Sequence, residues 1–229
     1  MEKRAVIYQT FLPESNDSMQ IQKNQSAYIH HINEEILVIS TKSLFSEVKS
    51  WQGINTNNFD AVIQFIQNNL CFMPRAHAET NFAYKQIIPY VLFTFDNKLF
   101  VMQRKPNASE QRLASKFSLG IGGHIRQDDI QQNNIFQWAL REFHEEVTYN
   151  GTLTYKIIGI LNDDSSDVGK VHLGIIWLIN GDSAKISIKD EHKNGILLTI
   201  DECAKLYENM ENWSKICFNF LQTNLELMK

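Results

Sequence analysis

The sequence contains few of the residues that mark secreted, disulfide-stabilised or flexible proteins. Its 229 residues include three cysteines and four prolines. Cys71, Cys203 and Cys217 lack the spacing of a metal or redox motif, so we expect reduced thiols in a cytoplasmic compartment. No stretch is rich in glycine and serine or in proline, which argues against a flexible linker.

Long apolar runs and an excess of positive charge are also missing. We find no signal peptide and no bilayer-spanning run, which predicts a soluble cytoplasmic protein without membrane partners. The net charge of −4 and the pI near 6.0 argue against non-specific nucleic-acid binding. With 43% hydrophobic residues the chain can bury a full core. Whether it forms a homodimer stays open.

One stretch, from Gly122 to Tyr149, carries the most informative pattern. A glycine pair permits a tight loop, and helical periodicity follows it. Asn133 or Asn134 is expected to cap the helix. Apolar residues at spacings of three and four predict one buried face: Ile135, Phe136, Ala139, Leu140, Phe143 and Val147. The other face is predicted to collect Trp138, Arg141, Glu142, Glu145 and Glu146.

The carboxylates on this second face suggest a metal site. Like charges four residues apart destabilise a helix by about 0.2–0.5 kcal/mol per pair, and a hard divalent cation would convert that repulsion into coordination. A solvated acidic helix face is the alternative interpretation. The preceding glycine loop and the arginine within the cluster favour the metal site.

The residues GG and REFHEEV resemble the signature of the Nudix hydrolases. Gly123 matches the opening glycine, and Asp129 falls at the position of the first glutamate. The later positions are matched by Arg141, Glu142, Phe143, Glu145, Glu146 and Tyr149. The sequence departs from the signature in the shorter Asp129, in a longer spacer before Arg141, and in Thr148 at the closing glycine.

The resemblance implies an α/β/α sandwich with a mixed β-sheet over residues 86–229. Because the sequence has no flexible linker, we expect residues 1–85 to form an N-terminal extension packed on this core. We expect the extension to influence substrate choice. The segments YKQIIPY, GIGGH and NDD…VHLG also resemble a bacterial group of predicted phosphoesterases related to MutT.

The order of predicted elements agrees with an α+β or α/β fold. Residues 73–79 are predicted to form a loop whose Arg75, His77 and Glu79 are either solvent-exposed or part of a substrate pocket. Strands are predicted at 35–39, 86–95, 98–104, 152–161, 171–179 and 195–200, and helices at 59–72, 135–147 and 202–221, with Asn58 and Asp201 as caps. A turn at Asp96 and Asn97 is predicted to join the second and third of these strands in a hairpin.

The resemblance further implies hydrolysis of a diphosphate linkage in a nucleotide-type substrate. Glu142, Glu145 and Glu146 would then bind Mg²⁺ or Mn²⁺, together with a carbonyl of the Gly122–Gly123 loop. Glu142 would also serve as general base, and Arg141 would orient the carboxylates.

Candidate substrate contacts lie outside this helix. Arg104, Lys105 and Arg112 precede it and suit phosphate oxygens, with Arg104 the best placed. His124, directly after the glycine pair, and Asp164 are the other candidates, whereas His172 is expected to be a hydrogen-bonded packing residue. The acidic loop around Asp164 also contains Asp163 and Asp167, which would add a ligand or a water-orienting base, or form a plain turn.

Two other functions fit the sequence. One is a catalytically inactive nucleotide-binding or regulatory module, which the altered first half of the signature would allow. The other is an isomerase of isopentenyl diphosphate, which shares the fold but needs a cysteine close to the site. None of the three cysteines lies near the signature in the sequence.

Overall fold

The computed structural model describes residues 34–57, 59–105, 115–132, 135–189 and 192–228. The predictions made for the first 33 residues, for Arg112 and for the caps Asn58, Asn133 and Asn134 lie outside these ranges.

A β-hairpin forms the centre of the fold, as the sequence predicts. β4 (Tyr84–Phe95) and β5 (Lys98–Arg104) are joined by Asp96 and Asn97, which have φ angles of 50° and 56°. Asp and Asn tolerate positive φ better than other non-glycine residues, and two such residues in succession suit the twist of a tight hairpin. Successive side chains of β4 point to opposite faces of the sheet.

Ten of the described strands form one mixed sheet around β4. β10 (His172–Gly181) runs parallel to one edge of β4, and β1 (Glu35–Ser40), β7 (Gly120–Gly122) and β5 pair in succession along its other edge. The remaining strands of this sheet are β2 (Gly53–Asn55), β3 (Cys71–Pro74), β6 (Phe117–Ser118), β9 (Leu153–Asn162) and β12 (His192–Leu198). β8 (Val147–Thr148) and β11 (Ser187–Ile188) form a separate two-stranded pair.

Helices cover both faces of the large sheet and produce the expected α/β/α sandwich. One face packs against α1 (Thr41–Glu47), α2 (Phe59–Asn68) and α4 (Ile135–Glu146), and the opposite face against α6 (Ile200–Ala204) and α7 (Asn212–Thr223). Two single turns, α3 (Arg75–Ala78) and α5 (Asp167–Lys170), lie in connections. Alternate side chains of β10 point to opposite layers. Leu173 and Ile175 lie in the core on the α4 side, and Ile176 lies in the core on the α7 side.

Several predicted boundaries are wrong. The helix predicted at 59–72 ends at Asn68, and its last residues form β3, which pairs with β1. The loops predicted around His77 and Asp167 contain the helical turns α3 and α5. β3 forms because β1 offers it backbone hydrogen bonds, whereas local bonds close the two helical turns, from the Glu79 N–H to the Arg75 carbonyl and from the Lys170 N–H to the Ser166 carbonyl.

The C-terminal helix predicted at 202–221 is interrupted. The chain forms α6, a 3-10 turn at Tyr207–Asn209, and α7. Thr199 caps α6 in place of the predicted Asp201: its side chain accepts from the Glu202 N–H while Glu202 accepts from the Thr199 N–H. A threonine followed three residues later by glutamate is the sequence signal for this cap.

None of the helices in the described ranges combines the length and the apolar character that crossing a bilayer requires.

Candidate functional site

Helix α4 is buried on more than its apolar side. Phe136, Ala139 and Phe143 pack on the sheet as predicted, but Trp138 and Glu142, which the periodicity assigned to the polar face, are only 3% and 6% exposed. The reason is the 3-10 helix Gln127–Gln132, which contacts α4: the Trp138 Nε1–H donates to the carbonyl of Asp129 at 3.0 Å. The predicted solvent-facing side is therefore enclosed around Glu142.

Arg141 connects the polar groups of this region. Its Nε lies 2.6 Å from Asp129 Oδ1, its Nη2 lies 2.7 Å from Glu142 Oε1, and its Nη1 lies 2.9 Å from Glu145 Oε1. Nη2 also donates to the carbonyl of His124 at 2.9 Å. One guanidinium thus holds three carboxylates and the loop after the glycine pair, which suits its planar, multidentate geometry.

The carboxylate of Glu142 lies directly against Gly123. A Cβ placed on Gly123 would come within 2.0 Å of Glu142 Oε2, so only glycine permits this approach. Burial raises the pKa of Glu142 to about 7; Arg141 opposes the rise and Glu145 adds to it. Burial therefore favours the protonated form of this carboxyl group in the metal-free protein.

Glu145 and Glu146 are more accessible. The Glu145 side chain is 45% exposed, and Glu146 is half-buried at the end of α4. Arg126 Nη1 lies 3.7 Å from Glu145 Oε1, and its Nε pairs with Glu34. Glu34, in the segment before β4, is thus linked to Glu145 of the acidic helix through Arg126.

This arrangement fits a hard divalent cation. Carboxylate oxygens are ligands that Mg²⁺ and Mn²⁺ accept, and Arg141 holds those of Glu142, next to Gly123, and of Glu145. The raised pKa of Glu142 reflects the burial of its carboxyl group, whose charged form a bound cation would stabilise. The residues present are therefore suited to the metal that the signature implies.

Arg104 and Asp164 have partners outside α4. Arg104 Nε lies 2.6 Å from Glu211 Oε1, next to the start of α7. Asp164 Oδ1 lies 2.8 Å from Nζ of Lys85, a lysine only 1% exposed. Asp163 is buried and accepts from Gln52 Nε2 at 2.6 Å, which joins this loop to the segment near β2.

His124 follows the glycine pair and faces β4. Its Nε2 lies 2.7 Å from Oε1 of the buried Gln86, and its ring centre lies 6.0 Å from that of His172. Gln86 was not predicted as part of a site, because in sequence it is one polar residue within an apolar strand. Its role depends on the parallel register that pairs Gln86 with His172.

Two of the three cysteines lie in the opposite layer. Cys203 in α6 and Cys217 in α7 belong to the core between the sheet and the C-terminal helices, and burial raises the pKa of the Cys203 thiol to about 12. Cys71 lies on β3. The isomerase interpretation, which needs a thiol at the site, therefore gains nothing from the structure.

Comparison with known proteins places this geometry in a family. No protein-family model matches the chain. The solved structure of Tm1382, described as a Nudix hydrolase, superposes with a TM-score of 0.71 at 29% identity, covering 82% of this chain and 98% of Tm1382. The chain belongs to the Nudix superfamily.

Two further proteins are similar to this Nudix protein, one in sequence and one in fold. Protein YmaB of Bacillus subtilis (strain 168) is 29% identical over 205 residues, which cover 83% of this chain and 98% of YmaB. The Nudix domain of Shewanella oneidensis NrtR, crystallised with ADP-ribose, has a TM-score of 0.50 at 11% identity, covering 62% of this chain and 88% of that domain. The latter likeness concerns the fold alone.

Two of the three departures from the Nudix signature, Asp129 and the longer spacer, leave the contacts of Arg141 intact. Asp129, shorter than the expected glutamate, still contacts Arg141 through both carboxylate oxygens. It also accepts from the Arg126 N–H at 2.7 Å. Part of the longer spacer continues the 3-10 helix as far as Gln132, so the contacts of Arg141 with Glu142 and Glu145 are preserved.

Proposed function

We propose that this Nudix protein is a metal-dependent hydrolase that cleaves a diphosphate linkage in a nucleotide-type substrate, a nucleoside diphosphate joined to another group. The observation that carries the proposal is the buried Glu142 carboxylate, held against Gly123 by an arginine that also binds Asp129 and Glu145. An acidic helix face that only contacts solvent would leave its carboxylates exposed, whereas Glu142 is buried.

Mg²⁺ or Mn²⁺ is the proposed cofactor, held by Glu142, Glu145 and Glu146 and by a carbonyl of the Gly122–Gly123 loop. When bound, the cation neutralises charge on the phosphate oxygens of the substrate.

The chain's own residues have separate proposed roles. Glu142, buried beside the glycine loop, is proposed to accept a proton from the attacking water, the role that the signature implies. Arg141 positions Glu142 and Glu145, and Asp129 in turn orients the guanidinium. Gly123 leaves space for the carboxylate.

Substrate selection is proposed to involve the segment before the core. Glu34 pairs with Arg126, and the Leu37 N–H donates to the Ile125 carbonyl at 2.8 Å, so residues before β4 contact the loop that follows Gly123. The substrate contacts predicted for Arg104, His124 and Asp164 stay predictions.

The test is hydrolysis of a panel of diphosphate compounds by Glu145→Gln and Glu146→Gln. Purified protein is assayed with Mg²⁺ and with Mn²⁺ on dinucleoside polyphosphates, ADP-ribose, NAD and nucleoside triphosphates. We expect turnover to fall by more than about 100-fold in both variants, since even a second-shell change at a metal site costs about 10- to 100-fold. Glu208→Gln, in a side chain 89% exposed, is the matched control and should retain full activity.

Full activity in both variants on a compound that the wild type hydrolyses would contradict the assignment. Binding of a panel compound without hydrolysis by the wild type would favour the inactive nucleotide-binding module. Circular dichroism of each variant checks that the fold is intact.

A further inference from the structure

Three potential metal ligands from distant parts of the chain meet beside the glycine loop. Glu79 follows α3, His124 follows Gly123, and His172 begins β10. One ligand atom from each lies within 4.8 Å of the other two, and all three side chains are half-buried. Two ligands on one tetrahedral zinc ion are about 3.4 Å apart, given bonds of about 2.1 Å. Small side-chain adjustments would therefore bring them to coordination distance.

The backbone positions of these residues are fixed by packing. Ala78, directly before Glu79, is 1% exposed and packs with Ile36 and Val38 of β1. The His124 carbonyl accepts from Arg141 Nη2, and His172 is paired with Gln86 across β4 and β10. The cluster therefore belongs to the rigid core and does not depend on a mobile surface loop.

Each imidazole is oriented by a carbonyl oxygen. His172 Nδ1 lies 2.7 Å from the Val168 carbonyl, and His124 Nε2 lies 2.7 Å from Gln86 Oε1. A carbonyl oxygen only accepts, so the proton of each neutral ring is on the nitrogen that faces it. The lone pair is then on His172 Nε2 and on His124 Nδ1. Metal-binding histidines are commonly oriented in this way by a carbonyl or carboxylate partner.

Gln86 provides a second sign of a ligand. It is fully buried, and its Nε2 finds no hydrogen-bond acceptor among the described residues. A buried amide without an acceptor is costly. Because the carbonyl oxygen of the same amide group contacts His124 Nε2, this unsatisfied donor lies beside the cluster.

The chemistry of this donor set differs from that of α4. Two imidazoles and one carboxylate are the ligands of transition-metal sites, and three protein ligands leave a position for water or a substrate oxygen. The carboxylates of α4 offer oxygen alone, which suits Mg²⁺. Arg75 Nε lies 3.4 Å from Glu79 Oε1, a long contact that a cation with stronger attraction for the carboxylate can replace.

We infer that Glu79, His124 and His172 bind one divalent transition-metal ion, Zn²⁺ by the chemistry of the ligands, at a site separate from the carboxylates of α4. The ion joins the segment before β4, the glycine loop and β10, and its open position accepts an oxygen ligand. This site goes beyond the proposed hydrolase chemistry, and its test does not require activity.

The experiment is a titration of the metal-free full chain with Co²⁺, a visible-absorbing substitute for Zn²⁺. Excess Mg²⁺ is present throughout to occupy the oxygen sites. We expect one equivalent of Co²⁺ to bind with the intense absorption bands of a low-coordinate nitrogen- and oxygen-ligated ion, and Zn²⁺ to displace it. His172→Ala and Glu79→Gln should weaken Co²⁺ binding by more than about 100-fold, since second-shell changes alone cost about 10- to 100-fold.

His77→Ala is the matched control, because His77 is an exposed histidine two residues before Glu79 and should leave the spectrum unchanged. Circular dichroism checks that each variant is folded. Glu79→Gln changes the shape of the side chain little, so it still tests the site if His172→Ala does not fold. Absence of bound Co²⁺ in the wild type, or equal affinity in His77→Ala, His172→Ala and Glu79→Gln, would overturn the inference. A Co²⁺ signal that disappears in Glu145→Gln and persists in His172→Ala would also overturn it.

Discussion

Replacing Glu142 with glutamine should change how the stability of the metal-free protein depends on pH. The pKa of Glu142 is about 7 in the folded chain against an ordinary value of 4.5, mainly because the carboxyl group is buried. The folded state therefore binds this proton more tightly than the unfolded state. Between about pH 4.5 and 7 unfolding becomes easier as pH rises, and the stabilising contribution, complete below about pH 4.5, is lost above about pH 7.

The magnitude follows from the difference in pKa. About 2.5 pH units, at about 1.36 kcal/mol per unit, correspond to roughly 3 kcal/mol. Glutamine does not titrate, so Glu142→Gln should lack this dependence. The free energy of unfolding of the variant, relative to the wild type, should rise by about 3 kcal/mol from pH 4.5 to pH 8.

The assay is urea unfolding of both proteins at a series of pH values in the presence of a chelator. Titration of all other groups is common to the two proteins and largely cancels in the difference. A difference that stays constant across the pH range would refute the argument that burial of Glu142 dominates its titration.

Added Mn²⁺ gives a second readout from the same proteins. Because the metal requires the ionised carboxylate, it should restore stability to the wild type at pH 8, by about 2.7 kcal/mol at a concentration of 100 times the dissociation constant. The variant should gain much less. Equal gains in the two proteins would show that Glu142 is not a ligand.

The Arg141 cluster and the glycine loop give two further predictions. Asp129→Asn should lower the free energy of unfolding by about 1.5–3 kcal/mol in urea, since it weakens a charge-assisted contact to Arg141, and Asp129→Glu should retain more activity than Asp129→Asn. Equal losses of activity would assign Asp129 a purely structural role. Gly123→Ala should cost about 1–3 kcal/mol through overpacking against Glu142 and should weaken Mn²⁺ binding in calorimetry. Unchanged Mn²⁺ affinity would contradict the proposed contact.

The local parts of the fold could be predicted because short-range rules decide them. The Asp96–Asn97 turn between alternating strands predicted the β4–β5 hairpin, and the apolar spacing of Phe136, Ala139 and Phe143 predicted α4 and the side it buries. The order of strands and helices, with the resemblance of the REFHEEV segment, predicted the sandwich and the superfamily.

The predicted boundaries failed where a distant partner determines the structure. Cys71 and Phe72 continue a helical pattern, but they pair with β1 and begin β3. Periodicity also placed Trp138 and Glu142 on a solvent-facing side, because it considers the helix alone. The 3-10 helix that contacts this side lies directly before α4 in the chain, and these residues are buried because that segment folds back onto α4.

The sequence by itself determined which residue types were available for a metal site, since the acidic helix and the glycine pair are adjacent along the chain. Only the tertiary structure decided their environment: how deeply Glu142 is buried, that Asp129 reaches Arg141, and that Glu79, His124 and His172 meet. The physical reason is that burial, ion pairing and coordination depend on distances in space, and sheet register and layer packing set those distances between residues that the chain keeps far apart.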